Sequence, residues 1–330
     1  MKNVLVTGGA GYIGAILVPK LLAEDYHVKV LDLYIYGEHV FESVKNHPRL
    51  KQIKGDIRNI DLLKKEIPGT DGIIHLASIS NDPSYELNPR LGKSINYDAF
   101  LPLVDMAKKE KVKRFIFASS SSVYGVKQEK EVTEDLPLEP LTDYSKYKAL
   151  CEKYLLEQKS DGFCVLILRP ATVCGYSPRL RLDLTVNILT NQAVNMGKIS
   201  VWGGEQMRPS IHIEDMTDLY VTTLEIPKEL IDGKVFNVGY ENYKVSEIAQ
   251  MVKEVVDKKD LPVLVTPTDD NRSYSISSEK IKRELNFTPR HSVKEAIADL
   301  KKAFENNRVP RPLDDMKYYN IKTMQALCLT

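Results

Sequence analysis

Eight residues, TGGAGYIG from Thr7 to Gly14, constrain this chain more than any other stretch. An apolar run, NVLV from Asn3, leads into them, and a helix-period segment, Tyr12 to Ala23, follows. The glycines at 8, 11 and 14 fall three apart. A tight glycine turn between a buried strand and a helix lets backbone N–H groups approach a pyrophosphate at the helix N-terminus. A nucleoside-triphosphate P-loop is excluded, because no GK[ST] follows the glycines. The next apolar run ends on an acid, Asp32 in VLDL, at the distance of about 20 residues that a dinucleotide-binding unit requires. A carboxylate there accepts the ribose hydroxyls of an adenosine and repels a 2′-phosphate. No arginine follows it directly in the chain, so the expected cofactor is NAD rather than NADP.

The rest of the first half keeps the same rhythm. Strands are expected at NVLVTG, HVKVLDL (from His27), LKQIKGD (from Leu50), DGIIHLA (from Asp71), KRFIFASS (from Lys113) and FCVLILRP (from Phe163). Helices are expected at Tyr12 to Ala23, Leu62 to Glu66, Ser94 to Lys109 and Tyr144 to Gln158. Near-continuous Val/Ile/Leu strands separated by helices predict a doubly wound α/β fold of Rossmann type, its parallel sheet covered on both faces. After Pro170 the pattern loosens into Pro- and Arg-containing stretches such as GYSPRLRLD and GGEQMRPS, with further helices at Ser246 to Asp257 and Ser292 to Asn306. Residues 1–170 are therefore expected to form the dinucleotide domain and 171–330 a smaller α/β substrate lobe packed tightly on it. A segment near 211–239, containing KVFNVG from Lys234, is expected to return to the large sheet. The last stretch, from Pro310, carries little functional signal.

Composition removes other classes. The formal net charge of +1 lacks the basic excess of a nucleic-acid binder, and KKEKVKR (Lys108 to Arg114) reads as a solvated helix end. No apolar stretch approaches the ~18 residues of a membrane span, and the N-terminal apolar run is too short for a signal peptide. Cys151, Cys164, Cys174 and Cys328 fit neither a zinc site nor a disulfide framework, so reduced thiols in a cytoplasmic protein are expected, with no metal. The six scattered histidines read as structural.

One more motif carries chemistry. In YSKYK, Tyr144 and Lys148 stand four apart and share a helix face, whereas Tyr147 has Cys151 at that spacing. A phenol acting as a base near neutrality needs its pKa lowered by about 3 units, roughly 4 kcal/mol. One cation at about 4 Å in an effective dielectric of ~20 supplies a comparable amount. Lys148 together with a positive nicotinamide ring is therefore expected to bring Tyr144 into range.

Taken together, TGGAGYIG, Asp32, GDIR (Gly55 to Arg58), HLAS (His75 to Ser78), SINY (Ser94 to Tyr97), SSSSVYG (Ser119 to Gly125) and YSKYK resemble the extended short-chain dehydrogenase/reductases. Within these the chain is similar to the NAD-dependent nucleotide-sugar epimerases and dehydratases, the group of UDP-galactose 4-epimerase, through nearly its whole length. The resemblance implies Tyr144, Lys148 and Ser120 as catalytic residues. It implies Gly8, Gly11, Tyr12, Ile13, Gly14, Asp32, Asp56, Ile57, Leu76, Ala77, Ser78 and Asn96 at the cofactor, with Asp56 meeting the adenine amino group. Asn96 would approach the cofactor or steady the helix that holds it. In 4,6-dehydratases of this group the two positions after the catalytic Ser/Thr are commonly Asp and Glu, the acid and base of water elimination; here they are Ser121 and Ser122, which disfavours dehydration.

On the substrate side, arginines suit a diphosphate by charge and fork geometry. Arg208, Arg272, Arg179 and Arg181 are the candidates. Many relatives place an Asn where this chain has Thr172, and Asn187 is a candidate replacement; Ser121 and Ser122 would also face the sugar. The expected activity is NAD-dependent nucleotide-sugar 4-epimerisation through a 4-keto intermediate. The alternatives are a 4-dehydrogenase or 4-ketoreductase, a 4,6-dehydratase, a reductase of steroid-like or phenolic substrates (which the arginines argue against), and a non-catalytic NAD-binding sensor. The resemblance also implies a homodimer formed through helices Ser94–Lys109 and Tyr144–Gln158, with Phe100, Leu103, Val104, Leu150, Tyr154 and Leu155 as possible contacts or, equally, as residues facing the sheet.

Overall fold

All six strands expected in the first half form, and a seventh joins them. In the computed structural model β1 (Asn3–Thr7), β2 (His27–Asp32), β3 (Leu50–Lys54), β4 (Gly72–His75), β5 (Arg114–Ala118) and β6 (Cys164–Pro170) lie parallel. Further strands are β7 (Thr172–Cys174), β8 (Ile199–Trp202), β9 (Met207–His212), β10 (Lys234–Val238), β11 (Glu241–Lys244) and β12 (Val263–Thr266). The structure describes every residue except 128, 259, 269–272 and 330.

The large sheet runs β10-β6-β5-β4-β1-β2-β3. From β1 the chain winds one way through β2 and β3, then from β4 the other way. The crevice beyond the carboxyl ends of β1 and β4 is therefore the switch point where such sheets bind ligands. Side chains alternate across the sheet as a two-residue period dictates. Val4, Val6, Ile74, Ile116, Leu166 and Leu168 enter one apolar layer, while Leu5, Ile73, Phe115, Phe117, Val165 and Ile167 enter the other.

Helices cover both layers. In chain order they are α1 (Gly14–Ala23), α2 (Ile60–Glu66), α3 (Asp82–Glu86), α4 (Pro89–Lys93), α5 (Phe100–Lys109), α6 (Asp143–Glu157), α7 (Thr185–Asn191), α8 (Ile213–Thr223), α9 (Lys228–Ile231), α10 (Val245–Val256), α11 (Glu279–Leu285), α12 (Val293–Glu305) and α13 (Asn320–Ala326). α1 and α8 pack side by side, pinned by Lys20 to Glu214 at 2.7 Å and to Asp218 at 2.5 Å. α2, α5 and α6 close the opposite layer.

Two expectations change. The single helix expected over Ser94 to Lys109 is interrupted by a π-turn, Ser94–Asp98, that joins α4 to α5. Among the residues suggested for a dimer surface, Phe100, Leu103, Val104 and Leu155 are fully buried against the sheet, while Leu150 is exposed and Tyr154 half-buried. The apolar stripes on these helices serve the core first.

The second lobe holds a three-stranded sheet, β11-β9-β7, the β12-β8 pair, and the packed helices α7, α10 and α12. Between these pieces α8 packs on α1 and β10 joins the large sheet, with Phe236 opposite Leu168. α13 also returns, burying Met324 in the layer under α5 and α6.

Candidate active site

Backbone close approach builds the dinucleotide cleft. Gly8 has φ +72°, and a Cβ there would stand 2.5 Å from the Ala77 backbone; a Cβ at Gly14 would stand 2.2 Å from Gly9 O. Only glycine lets the first turn sit this near the end of β4 and the start of α1. Gly11 would meet nothing nearer than Gly8 O at 3.1 Å. Asp32 fixes the turn from the neighbouring strand. Its Oδ2 accepts from Ala10 N (2.9 Å) and its Oδ1 from Tyr34 N (2.7 Å). Burial raises its pKa, opposed by those two bonds.

The resulting cavity, about 180 Å³, is lined by Gly8, Gly11, Tyr12, Ile13, Gly14, Asp32, Asp56, Ile57, Leu76, Ala77 and Ser78, as expected. Ile35, Tyr36 and Ile95 add apolar and aromatic wall. Asp56 is gripped by the Arg58 fork, with Nε 3.0 Å from both carboxylate oxygens. A glycine turn, a carboxylate at the end of β2 and an apolar slot fit a dinucleotide such as NAD. Asn96 does not line this cavity. It is buried in the π-turn, where its Oδ1 accepts from Ile79 N (2.8 Å) and its Nδ2 donates to Ile79 O (3.0 Å). It therefore holds the chain after β4.

α6 brings the phenol and the amine together. Thr142 caps it, accepting from Ser145 N at 3.3 Å. The Lys148 ammonium donates to Ala118 O (2.7 Å) and lies 4.9 Å from the Phe117 ring and 5.9 Å from that of Tyr144. Burial lowers its pKa to about 8. Tyr144 goes the other way: burial pushes it up to about 12, helped by Asp82 and opposed by Arg181 and a hydrogen bond with Ser120. In the protein alone desolvation outweighs Arg181 and the Ser120 hydrogen bond, and the Lys148 amine is turned to a backbone carbonyl; the expected lowering of Tyr144 calls on the nicotinamide ring as well as Lys148.

Ser120 begins a 3₁₀ turn, Ser121–Tyr124; its Oγ accepts from Ser122 N (3.1 Å) and lies 2.8 Å from Ser122 Oγ. Ser145 Oγ donates to Ser122 Oγ (2.9 Å), and Ser121 Oγ lies 3.2 Å from Tyr274 OH. Beneath them is a buried network that sequence reading missed. Arg169 Nη2 meets Glu152 Oε2 at 2.6 Å, Ser119 donates to Glu152, and Tyr124 OH accepts from Arg169 (2.7 Å) and donates to Asn237 (2.7 Å). Arg169 in LRP and Glu152 on the Lys148 face of α6 were its only sequence signals.

A second cavity of about 370 Å³ opens above Tyr144. Ser120, Ser121, Ser122, Lys148, Thr172, Arg181 and Arg208 line it. It shares Tyr12, Ile13, Leu76, Ser78, Ser80 and Arg181 with the dinucleotide cleft, so the two are continuous. Two of the remaining candidates lie elsewhere. Asn187 is fully buried, donating to Tyr12 OH (3.1 Å) and Arg181 O (2.9 Å) from the inner face of α7. Arg179 lines the dinucleotide cleft instead. Arg272 lies outside the described residues. Two carboxylates missed from the sequence, Asp82 and Asp183, also line the sugar-side cavity. Asp183 is paired with Arg181 Nε at 2.9 Å, and Asp82 accepts from Thr142.

A doubly wound sheet, a glycine turn with its acid, and Tyr144, Lys148 and Ser120 beside the same crevice define an NAD-dependent enzyme of the extended short-chain dehydrogenase/reductase type. The chain belongs to the NAD dependent epimerase/dehydratase family, whose model matches residues 4–239. It is 29% identical to the UDP-glucose 4-epimerase of Lactobacillus helveticus, over 90% of this chain and 95% of that one. It is 27% identical to the human dTDP-D-glucose 4,6-dehydratase, over 90% and 88%. Among solved structures it resembles the dTDP-glucose 4,6-dehydratase of Streptomyces venezuelae with NAD bound, at 26% identity and a TM-score of 0.84, covering 93% of this chain and 98% of that one.

Proposed function

We propose that this chain is a nucleotide-sugar 4-epimerase that works through a transient 4-keto sugar. The observation that carries the reading is that Tyr144, Ser120 and Lys148 face one cavity continuous with the dinucleotide cleft, while hydroxyls occupy both positions after Ser120. The glycine turn and Asp32 would hold NAD, which would supply reversible hydride exchange with sugar C4. Tyr144 takes the proton of the C4 hydroxyl and gives it back in the return step. Ser120 holds that hydroxyl and the phenol together, and Lys148, anchored on Ala118 O, keeps a cation near the cofactor. Arg208, on β9, supplies charge for the substrate diphosphate, and Thr172 walls the sugar. Elimination of water needs a strong acid and base at the reacting carbons. Ser121 is committed to Tyr274 and Ser122 to its serine neighbours, which favours epimerisation.

Nucleoside diphosphate sugars are the proposed substrates, in keeping with the activities named for the relatives, and the enzyme is proposed to be a cytoplasmic homodimer. A panel of UDP-, GDP-, CDP- and dTDP-sugars, followed by NMR, tests the reading. The expected product of at least one sugar is its C4 epimer, and a 4-keto-6-deoxy product counts against the proposal. Tyr144→Phe is expected to lower kcat by about a hundredfold or more while NAD remains bound. Unchanged turnover in that variant contradicts the assignment of the base. Sedimentation equilibrium tests the dimer, with twice the chain mass expected.

A further inference from the structure

The loop Gly175–Asp183 crosses from the second lobe to the mouth of the dinucleotide cleft and buries Arg179 there, 3% exposed. Its guanidinium carbon lies over the Tyr36 ring, 3.6 Å from the centroid, and Nη2 donates to Asn320 Oδ1 at 2.5 Å. Asn320, itself 1% exposed at the start of α13, also donates from Nδ2 to Ser80 Oγ (3.1 Å) and from its backbone N to Asp183 Oδ2 (3.3 Å). Three distant parts of the chain thus fix one cation over the cleft.

That cation has no carboxylate of its own. Arg181, two residues on, has its carboxylate in Asp183, with Nε at 2.9 Å and Nη2 at 3.3 Å. No carboxylate of the described residues lies within ion-pair distance of Arg179, and its buried Nε has no hydrogen-bond partner. Asp183 and Asp32 lie near enough to feel its charge without pairing with it. A buried charge and an unmet donor are each costly unless a ligand supplies the counter-charge. Arg179 lines the same cleft as Gly8, Gly11 and Asp32 and is absent from the sugar-side cavity. The ligand it awaits is therefore the dinucleotide and not the sugar nucleotide. Beside Asp32 a ribose phosphate would be repelled, which leaves the pyrophosphate.

We propose that Arg179 is a cofactor-binding residue: carried by the second lobe and held by Tyr36 and Asn320, its guanidinium receives the pyrophosphate of NAD. The glycine turn then meets the pyrophosphate from one lobe and Arg179 from the other, so cofactor retention and lobe contact are coupled. The inference rests on NAD occupying the cleft, not on epimerisation, and its test reads binding and melting, not turnover.

The test compares nucleotide-stripped wild type, Arg179→Met and Asn320→Ala by calorimetric titration with NAD, ADP-ribose, adenosine, NADP and UDP, and by thermal melting. Arg179→Met is expected to weaken NAD and ADP-ribose by about ten- to a hundredfold, because charged hydrogen bonds to the pyrophosphate are lost. Adenosine and UDP affinities should be unchanged. The stripped variant should melt no lower than wild type, since an unpaired buried charge has been removed. Asn320→Ala should weaken NAD in the same direction by less, and add nothing in the Arg179→Met background. Weakened UDP binding with NAD unchanged would return Arg179 to the substrate. An effect on NADP alone would place it at the ribose, and a lower melting point with all affinities unchanged would make it purely structural. Each of these overturns the proposal, and Asn320→Ala decides it if Arg179→Met does not fold.

Discussion

Tyr144 and Lys148 show what spacing does and does not determine. Four residues of helix place both side chains on one face of α6, and both line the site. Spacing cannot give the surroundings, and burial moves the phenol to about 12 and the amine to about 8. With its folded pKa below the ordinary value, Lys148 is an ammonium below about pH 8 and loses its proton as the pH rises through it. Nitrogen-15 NMR of the cofactor-free protein labelled at lysine should show one resonance titrating near 8 that Lys148→Met removes; a Lys148 signal constant to pH 10 contradicts this. The glycine turn, Asp32 and the YxxxK pair were legible because local geometry fixes them. Arg179, Asn187 and Asn96 were not, because each is placed by partners far away in the chain: Asn320, Tyr12 and Ile79.

At the scale of elements, all six early strands and the return of β10 could be read from apolar runs, since both faces of a parallel sheet are buried. The π-turn at Ser94–Asp98 could not, because SINYD carries ordinary helix periodicity and no proline or glycine to mark the break. Its function in the fold is to turn Asn96 onto both polar backbone groups of Ile79. Asn96→Ala leaves those buried groups unmet and is expected to cost about 2 kcal/mol of stability, with a larger fractional loss of NAD affinity because the chain after β4 walls the cleft. Denaturant unfolding and NAD titration check this, and a variant as stable as wild type would show that Ile79 finds other partners.

Across the large sheet, charge buried beneath the site ties helix to strands. Glu152 and Arg169 form a paired, hydrogen-bonded unit between α6 and β6, and Tyr124 carries it on to Asn237 on β10. Removing one partner strands the other, so Glu152→Leu is expected to destabilise the fold by about 3–5 kcal/mol in denaturant melts. His75, bonded to Thr7 Oγ1 at 2.7 Å among Phe100, Phe115 and Phe117, sets an acid limit. Burial, then Lys148, lowers its pKa to about 3, against about 6.5 unfolded. Between those values the unfolded chain binds the extra proton, so stability is full above about pH 6.5 and falls as the pH drops toward 3. His75→Asn should flatten that slope in melts taken from pH 7 to 4, and an unchanged slope would assign the acid sensitivity elsewhere.

The central claim is reversible hydride exchange at sugar C4 with the protein's own bound NAD. It is tested most directly by incubating NAD-loaded enzyme with a nucleotide sugar deuterated at C4, following the label by NMR and the nicotinamide by absorbance at 340 nm. The account predicts a C4 epimer that keeps its deuterium at C4, with no lasting rise in reduced cofactor. Reduced cofactor accumulating in proportion to a released 4-keto sugar, or deuterium appearing at C6, would contradict it.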